Sequence, residues 1–199
     1  MTAEPAQAVV DRISAAVWAV AADCGLENVS MRAIAARADC TTGLITHHFG
    51  SRAEVLIHAC RTMYSRVAAR ADAIEAGREP SIDMLVDVLA VVLPLDHDRI
   101  DEVRVWAGFA ATALAEPQLQ EIHVDHHRRW VSRITRLVDD LSPTGSVVDG
   151  GDIAKSLSAN VNGLALTAIL DSETYPAHTQ LRLLTRCATV MLGSLTTTA

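Results

Sequence analysis

The chain has 199 residues, half of them hydrophobic, and a formal charge of −7 at pH 7. That is enough apolar material for a packed core, and it argues against disorder, while the acidic balance argues against a protein that coats nucleic acid through charge alone. No apolar run reaches the ~18–20 residues of a membrane span, and the N-terminus, with Glu4 and Asp11, lacks the basic start of a secretory signal, so a cytoplasmic protein with no membrane partner is expected.

The apolar periodicity is helical almost throughout. Val10, Ile13, Val17, Ala21 and Cys24 recur at three- and four-residue steps and predict a helix from about Ala6 to Cys24, with Gly25 free to end it in a left-handed conformation. Ser30 can cap a short helix reaching about Ala38, and Thr41 a second ending near His47 or His48, with a turn at Asp39 and Cys40 between them. Ser51 and Glu54 then stand at capping-box spacing and open a helix from Arg52 to about Ala76, with Gly77 as its stop.

Pro80 and Pro94 bracket a segment containing Ile82, Leu85, Val86, Leu89, Val92 and Leu93. It is apolar on nearly every side, which predicts burial. Further helices are expected over about Asp101–Ala115, from Pro117 to Leu141, over Asp152–Leu170 and over Ala177–Leu195, with Ser142–Gly151 as the clearest loop. No alternating strand pattern stands out, so the fold class is all-α: a helix-turn-helix three-helix head in residues 1–51 and a helical body in residues 52–199, about nine helices in all. The cysteines Cys24, Cys40, Cys60 and Cys187 form no CxxC pair and are expected to be buried thiols of a reducing compartment rather than a disulfide or zinc site.

Two helices of about eight and seven residues, joined by a turn of three or four, fit a helix-turn-helix. Ile34 and Ala35 should point inward. Thr42, Leu44, Thr46 and His47 offer hydroxyls, an imidazole and an apolar tip, a mixture suited to the edge of a major groove.

These residues carry a family resemblance. Gly25, Val29-Ser30-Met31-Arg32, Ile34-Ala35, Ala38, Thr42-Gly43-Leu44-Ile45 and His47-His48-Phe49-Gly50-Ser51-Arg52 follow in the order and register of the TetR family signature. The resemblance implies a transcriptional regulator, by default a repressor, that binds a double-stranded, palindromic DNA operator as a homodimer and is released by a small-molecule effector. It places Thr41, Thr42, Leu44, Thr46 and His47 on the recognition helix, turns Ser30 and Arg32 to phosphates, and sets Arg52, where the family usually has Lys, against phosphate at the start of the fourth helix. Phe49 would be core. Asp39 stands where this turn often has Gly, and His47 and His48 replace the commoner tyrosines.

The body also resembles a branch of that family, the choline- and betaine-pathway repressors, through Trp106, Phe109, Pro117, Leu119, His127, Arg128, Trp130, Ala154, Leu157 and Asn162-Gly163-Leu164, with Asn162 in place of the usual Asp. An aromatic at helix spacing is first read as core. Yet Gly108, Ala110, Ala111 and Ala113 leave room beside Trp106 and Phe109, and a buried Asn would need partners. Trp106, Phe109, Trp130 and Asn160 are therefore the expected lining of an effector pocket. Leu181, Leu184, Ala188 and Met191 form a three-four seam on the last helix, and with the small residues of the helix before it they predict a dimer interface across a two-fold axis.

His123 and His127 share a helix face at metal-binding spacing, but no third ligand completes a site, and the arginines that follow favour a solvated face. No cofactor motif is found. The absence of a GxSxG elbow, a phosphate-binding glycine loop or an HExxH pair argues against an enzyme. The alternative is a helical small-molecule-binding module or an enzyme without DNA contact.

Overall fold

A computed structural model describes residues 5–142 and 149–193. Among them the regular structure is helical: α1 (Ala6–Cys24), a 3-10 turn (Leu26–Asn28), α2 (Met31–Arg37), α3 (Thr42–Phe49), α4 (Arg52–Glu75), α5 (Ile82–Ala90), α6 (His97–Ala113), α7 (Pro117–Leu141), α8 (Gly150–Leu170) and α9 (Ala177–Gly193). The chain groups into two compact units, Met1–Tyr64 with Arg104–His123, and Ser65–Val103 with Val124–Ala199. We call them the head and the body. The sequence boundary at 51/52 divides the chain differently, because contacts group the first half of α4, the second half of α6 and the start of α7 with the head.

The head has one apolar core. Ile13 and Val17 of α1, Ile34 of α2, Ile45 of α3, Cys60 and Met63 of α4, Phe109 of α6 and Leu119 of α7 are all buried in it. Its short helices start where hydroxyl caps stand. Ser30 Oγ accepts from Ala33 N at 3.2 Å, Thr41 Oγ1 from Leu44 N at 3.2 Å and Ser51 Oγ from Glu54 N at 3.2 Å. Each bond satisfies an amide that the first turn of a helix leaves without an internal partner. Asp39 takes φ 47° in the turn between α2 and α3, a left-handed conformation that Asp tolerates better than most residues. Gly25 ends α1 at φ 84°, ψ 156°, which is not the left-handed helical cap expected but an extended region open almost only to glycine.

In the body, α5 is buried along most of its length, through Met84, Leu85, Val86, Val88, Leu89 and Ala90, and packs on α8 and α9. The second half of α4 is fastened by ion pairs. Arg70 donates two bonds to the Glu102 carboxylate, one of 2.8 Å. Arg133 reaches Glu75 at 2.7 Å and Asp72 at 2.5 Å, and Arg136 also pairs with Glu75.

Two expected helix starts move. α6 begins at His97 because Asp96 caps it, accepting from Arg99 N at 2.9 Å and from Arg99 Nε at 2.7 Å. Those bonds, the backbone one foremost, hold the Asp96 carboxyl below its ordinary range. α8 begins at Gly150 because Asp149 accepts from Gly151 N at 2.8 Å, so Gly150 and Gly151 are helical rather than loop. Residues 143–148 of the expected loop and 194–199 beyond α9 lie outside the described residues.

Two further expectations are corrected. α8, with 21 residues, is long and apolar enough by length and composition to cross a membrane, although no continuous apolar run suggested one. Its buried face, with Ile153, Ala154, Leu157, Val161, Ala165 and Ala168, is that of a core helix. Of the four thiols, Cys60 alone is buried; Cys24 is exposed, and Cys40 and Cys187 are half-buried.

Candidate functional site

The helix-turn-helix is α2, a turn and α3, packed on α1. On α3 the inward residue is Ile45, with no exposed surface, while Thr42, Thr46 and His47 are exposed. Helical geometry separates these faces, since successive residues advance by about 100°. Thr46 Oγ1 donates to Thr42 O at 3.0 Å, which fixes its rotamer and leaves its methyl and oxygen lone pairs facing out. The cap residues Ser30 and Thr41 are exposed too, and each uses oxygen lone pairs for its cap, so the hydroxyl proton stays available to an outside acceptor. Arg32 is exposed on the outer side of α2.

Leu44 stands differently from expectation. Leu44 is half-buried and leans on the head core, so it is not a free apolar tip. Arg52 is exposed, and its guanidinium also donates to the backbone carbonyls of Val29 and, at 3.1 Å, Leu26, which braces the start of α4. Phe49 packs partly against the core as expected, edge-on to His58 with ring centroids 5.2 Å apart. His47 and His48 meet edge to face at 5.3 Å.

The expected effector residues are divided between the units. Phe109 is 2% exposed in the head core, and Trp106 packs partly against the same cluster. The room that Gly108 leaves is filled by Leu26, whose Cβ lies 3.0 Å from where a Cβ on residue 108 would be. Trp106 and Phe109 are therefore head packing rather than pocket lining. Trp130 is buried in the body, and its Nε1 has no hydrogen-bond partner. Asn160 is exposed, not interior as expected, because it lies on the outer face of α8. There it lines an open groove of about 380 Å³ with Ala159, Gly163, Leu164, Thr167, Tyr175 and Leu183. Sequence reasoning missed the buried polar atoms of the body: Ser158 Oγ, Gln180 Oε1 and Arg70 Nε also have no hydrogen-bond partner. A polar residue inside the apolar stripe of its helix is the signal that could have found Ser158 and Gln180.

The expected dimer seam splits in the same manner. Leu184 and Ala188 have no exposed surface, since they face the body's own interior, and Met191 is half-buried. Leu184 and Ala188 are corrections, since a side chain already sealed within one chain cannot meet a second. Leu181 is 38% exposed, and Leu166, Leu170 and Val190 are 40%, 78% and 66% exposed on the same two helices.

His123 is occupied by Tyr64, whose hydroxyl lies 2.7 Å from its Nδ1. Burial first, and the neighbouring Cys60 second, push the Tyr64 hydroxyl above the ordinary tyrosine range. Among the described residues no group of three or more His, Cys, Asp or Glu is placed to hold a metal ion.

Comparison with known proteins agrees with this architecture. Residues 13–59 match the family described as bacterial regulatory proteins, tetR family, and residues 81–193 match the BetI-type transcriptional repressor, C-terminal domain. The chain is 27% identical over 160 residues to the HTH-type transcriptional regulator PksA of Bacillus subtilis, covering 80% of this chain and 78% of that protein. It is 27% identical to BetI 2 of Chromohalobacter salexigens, with 83% of each covered. A transcriptional regulator from Rhodococcus sp. Rha1 superposes with a TM-score of 0.85 at 32% identity, covering 92% of this chain and 96% of that one. A second crystal structure, from Saccharomonospora viridis in complex with choline, shares the fold with a TM-score of 0.84 at 22% identity, covering 90% and 95%. Its BetI-type C-terminal match alone spans more than half of the chain, and together these findings show that the protein belongs to the TetR family of transcriptional regulators, DNA-binding proteins that respond to ligands rather than enzymes.

Proposed function

We propose that this protein is a cytoplasmic repressor that binds a palindromic operator as a homodimer through α3 and is released when a small molecule enters the body. The observation that carries the reading is the division of α3: Ile45 is sealed in the core while Thr42, Thr46 and His47 stand exposed on a helix whose start is fixed by Thr41. That outer face presents donors and acceptors to base edges, and Ser30, Thr41 and Arg32 flank it as phosphate contacts. The second copy docks on the outer faces of α8 and α9, where Leu166, Leu170, Leu181 and Val190 are exposed beside the Asn160 groove. A dimer would cover this apolar surface and set two heads one helical turn of DNA apart. In the body, the unpartnered Trp130 Nε1, Ser158 Oγ and Gln180 Oε1 favour an effector that supplies hydrogen-bond partners. Release follows if the effector binds the DNA-competent and incompetent conformers unequally.

The test is binding of the full chain to duplexes tiling the DNA beside its own gene. Thr42→Ala with Thr46→Ala should remove sequence preference, at about 1–3 kcal/mol per lost base contact. Arg32→Ala should weaken all sequences alike and lower the salt slope by about 1. Variants that bind like the parent would rule out α3 as the reading helix.

A further inference from the structure

The stretch that carries the reading motif, residues 1–52, has little fixed positive charge to offer DNA. Residues 1–52 contain four arginines and no lysine against five carboxylates, so their formal balance is negative while histidine is neutral. Three of those arginines are engaged within the head. Arg12 donates to the carbonyls of Ala38 and, at 3.3 Å, Asp39; Arg37 lies 3.7 Å from the Asp23 carboxylate; and Arg52 holds Leu26 and Val29. Arg32 stands exposed. Beside it the same segment has two imidazoles, His47 and His48, in the last turn of α3, the helix end whose dipole favours a cation. Charging both would turn the formal balance of residues 1–52 positive.

We propose that His47 and His48, as imidazolium ions, make phosphate contacts of the reading head, so that operator binding takes up protons. The inference rests on α3 being the recognition helix. On binding, each imidazole accepts a proton from solvent and donates an N–H to a phosphate oxygen, and the phosphate charge favours the protonated form. Imidazole changes charge between about pH 5 and 8, so affinity rises as pH falls through that range and is lost as pH rises through it.

The titratable and charged groups on the elements around α3 are Asp11, Arg12, Asp23 and Cys24 on α1, Glu27 on the 3-10 turn, Arg32 and Arg37 on α2, Asp39 and Cys40 in the turn, and Arg52, Glu54, His58, Cys60, Arg61 and Tyr64 on the head part of α4. Among the described residues no carboxylate is ion-paired with His47 or His48, so a phosphate displaces no internal partner. Each contact adds one released counterion. The affinity is therefore expected to depend on salt more steeply in acid than in base, by about 0.9 in the logarithmic slope per imidazolium.

The experiment measures the affinity of the full chain, from about pH 5.5 to 8, for a duplex that the wild-type protein selects from a random library in acid. Wild type should tighten on acidification by up to about tenfold per pH unit for each proton taken up, with the steeper salt slope in acid. His47→Gln with His48→Gln should bind weakly at every pH and show a flat profile. His47→Arg with His48→Arg should bind tightly at every pH with an equally flat one, which separates charge from folding. Thermal melting at each pH confirms that the variants are folded. A pH-independent wild type, an unchanged profile in the double glutamine variant, or a profile abolished by His58→Gln alone would overturn the proposal. Failure of the wild type to select any duplex would overturn the assignment of α3 as the reading helix, and the proposal with it.

Discussion

The head and the body treat their polar side chains differently. In the head, the hydroxyls of Ser30, Thr41 and Ser51 each cap a helix, and Arg12 and Arg52 close on main-chain carbonyls. In the body, Trp130 Nε1, Ser158 Oγ, Gln180 Oε1 and Arg70 Nε are buried without hydrogen-bond partners. A buried polar atom left unmatched costs about 1–3 kcal/mol, so a region that tolerates several gives up stability that a ligand can restore. The head is built to keep one shape. A ligand that offered partners to those atoms of the body would gain part of that free energy.

The largest expected effect tests where Phe109 belongs. Phe109→Ala should destabilise the protein by about 3–5 kcal/mol in a denaturant melt, because it empties a site in the head core. A small loss would mean that Phe109 lines a space already open to solvent or ligand, and the division between units would fail there.

Next is a pH effect in the head. Burial pushes the Cys60 thiol up to about 12, opposed only by the nearby Arg61. An unfolded thiol titrates near 8.5, so below that pH both states keep the proton and stability is complete. Above it the unfolded chain loses the proton first, and stability should fall by about 2 kcal/mol by roughly pH 10. Cys60→Ala, which has no proton to lose, should flatten this part of the profile whatever its own stability. An equally steep slope in that variant would assign the effect elsewhere.

The smallest effect runs the opposite way. Ser158→Ala should raise the melting midpoint, a gain of about 1 kcal/mol, because it removes a hydroxyl that is buried without a partner. A lowered midpoint would reveal a partner for that hydroxyl and weaken the contrast between the two units.

The fold was largely legible in the sequence because helix starts and stops are local. Thr41 and Ser30 cap the helices their positions suggested, and α1 and α7 begin and end at the expected residues. Where a cap lay upstream of the apolar run, as with Asp96 and Asp149, the expected start came late. The site was legible in part. The outward face of α3 followed from its residue types, but Leu44 and Arg52 depend on what packs against them, and spacing does not carry that. The body misled for the same reason. Trp106 and Phe109 have the composition of a pocket, yet Leu26, some 80 residues earlier in the chain, fills the space beside them. On α9, a three-four seam says that a face is buried, not whose surface buries it; Leu184 and Ala188 are covered by their own chain.

Leu26 has a consequence of its own. Its side chain rests on the bare backbone at Gly108, where an added Cβ would come within 3.0 Å, and its carbonyl receives the Arg52 guanidinium at 3.1 Å. One small residue on α6 is thus two handshakes from the first residue of α4. A methyl group at position 108 would push on Leu26, and through it on the carbonyl that receives Arg52 at the start of α4. Glycine at that point leaves the seat of Leu26, and the Arg52 contact behind it, undisturbed.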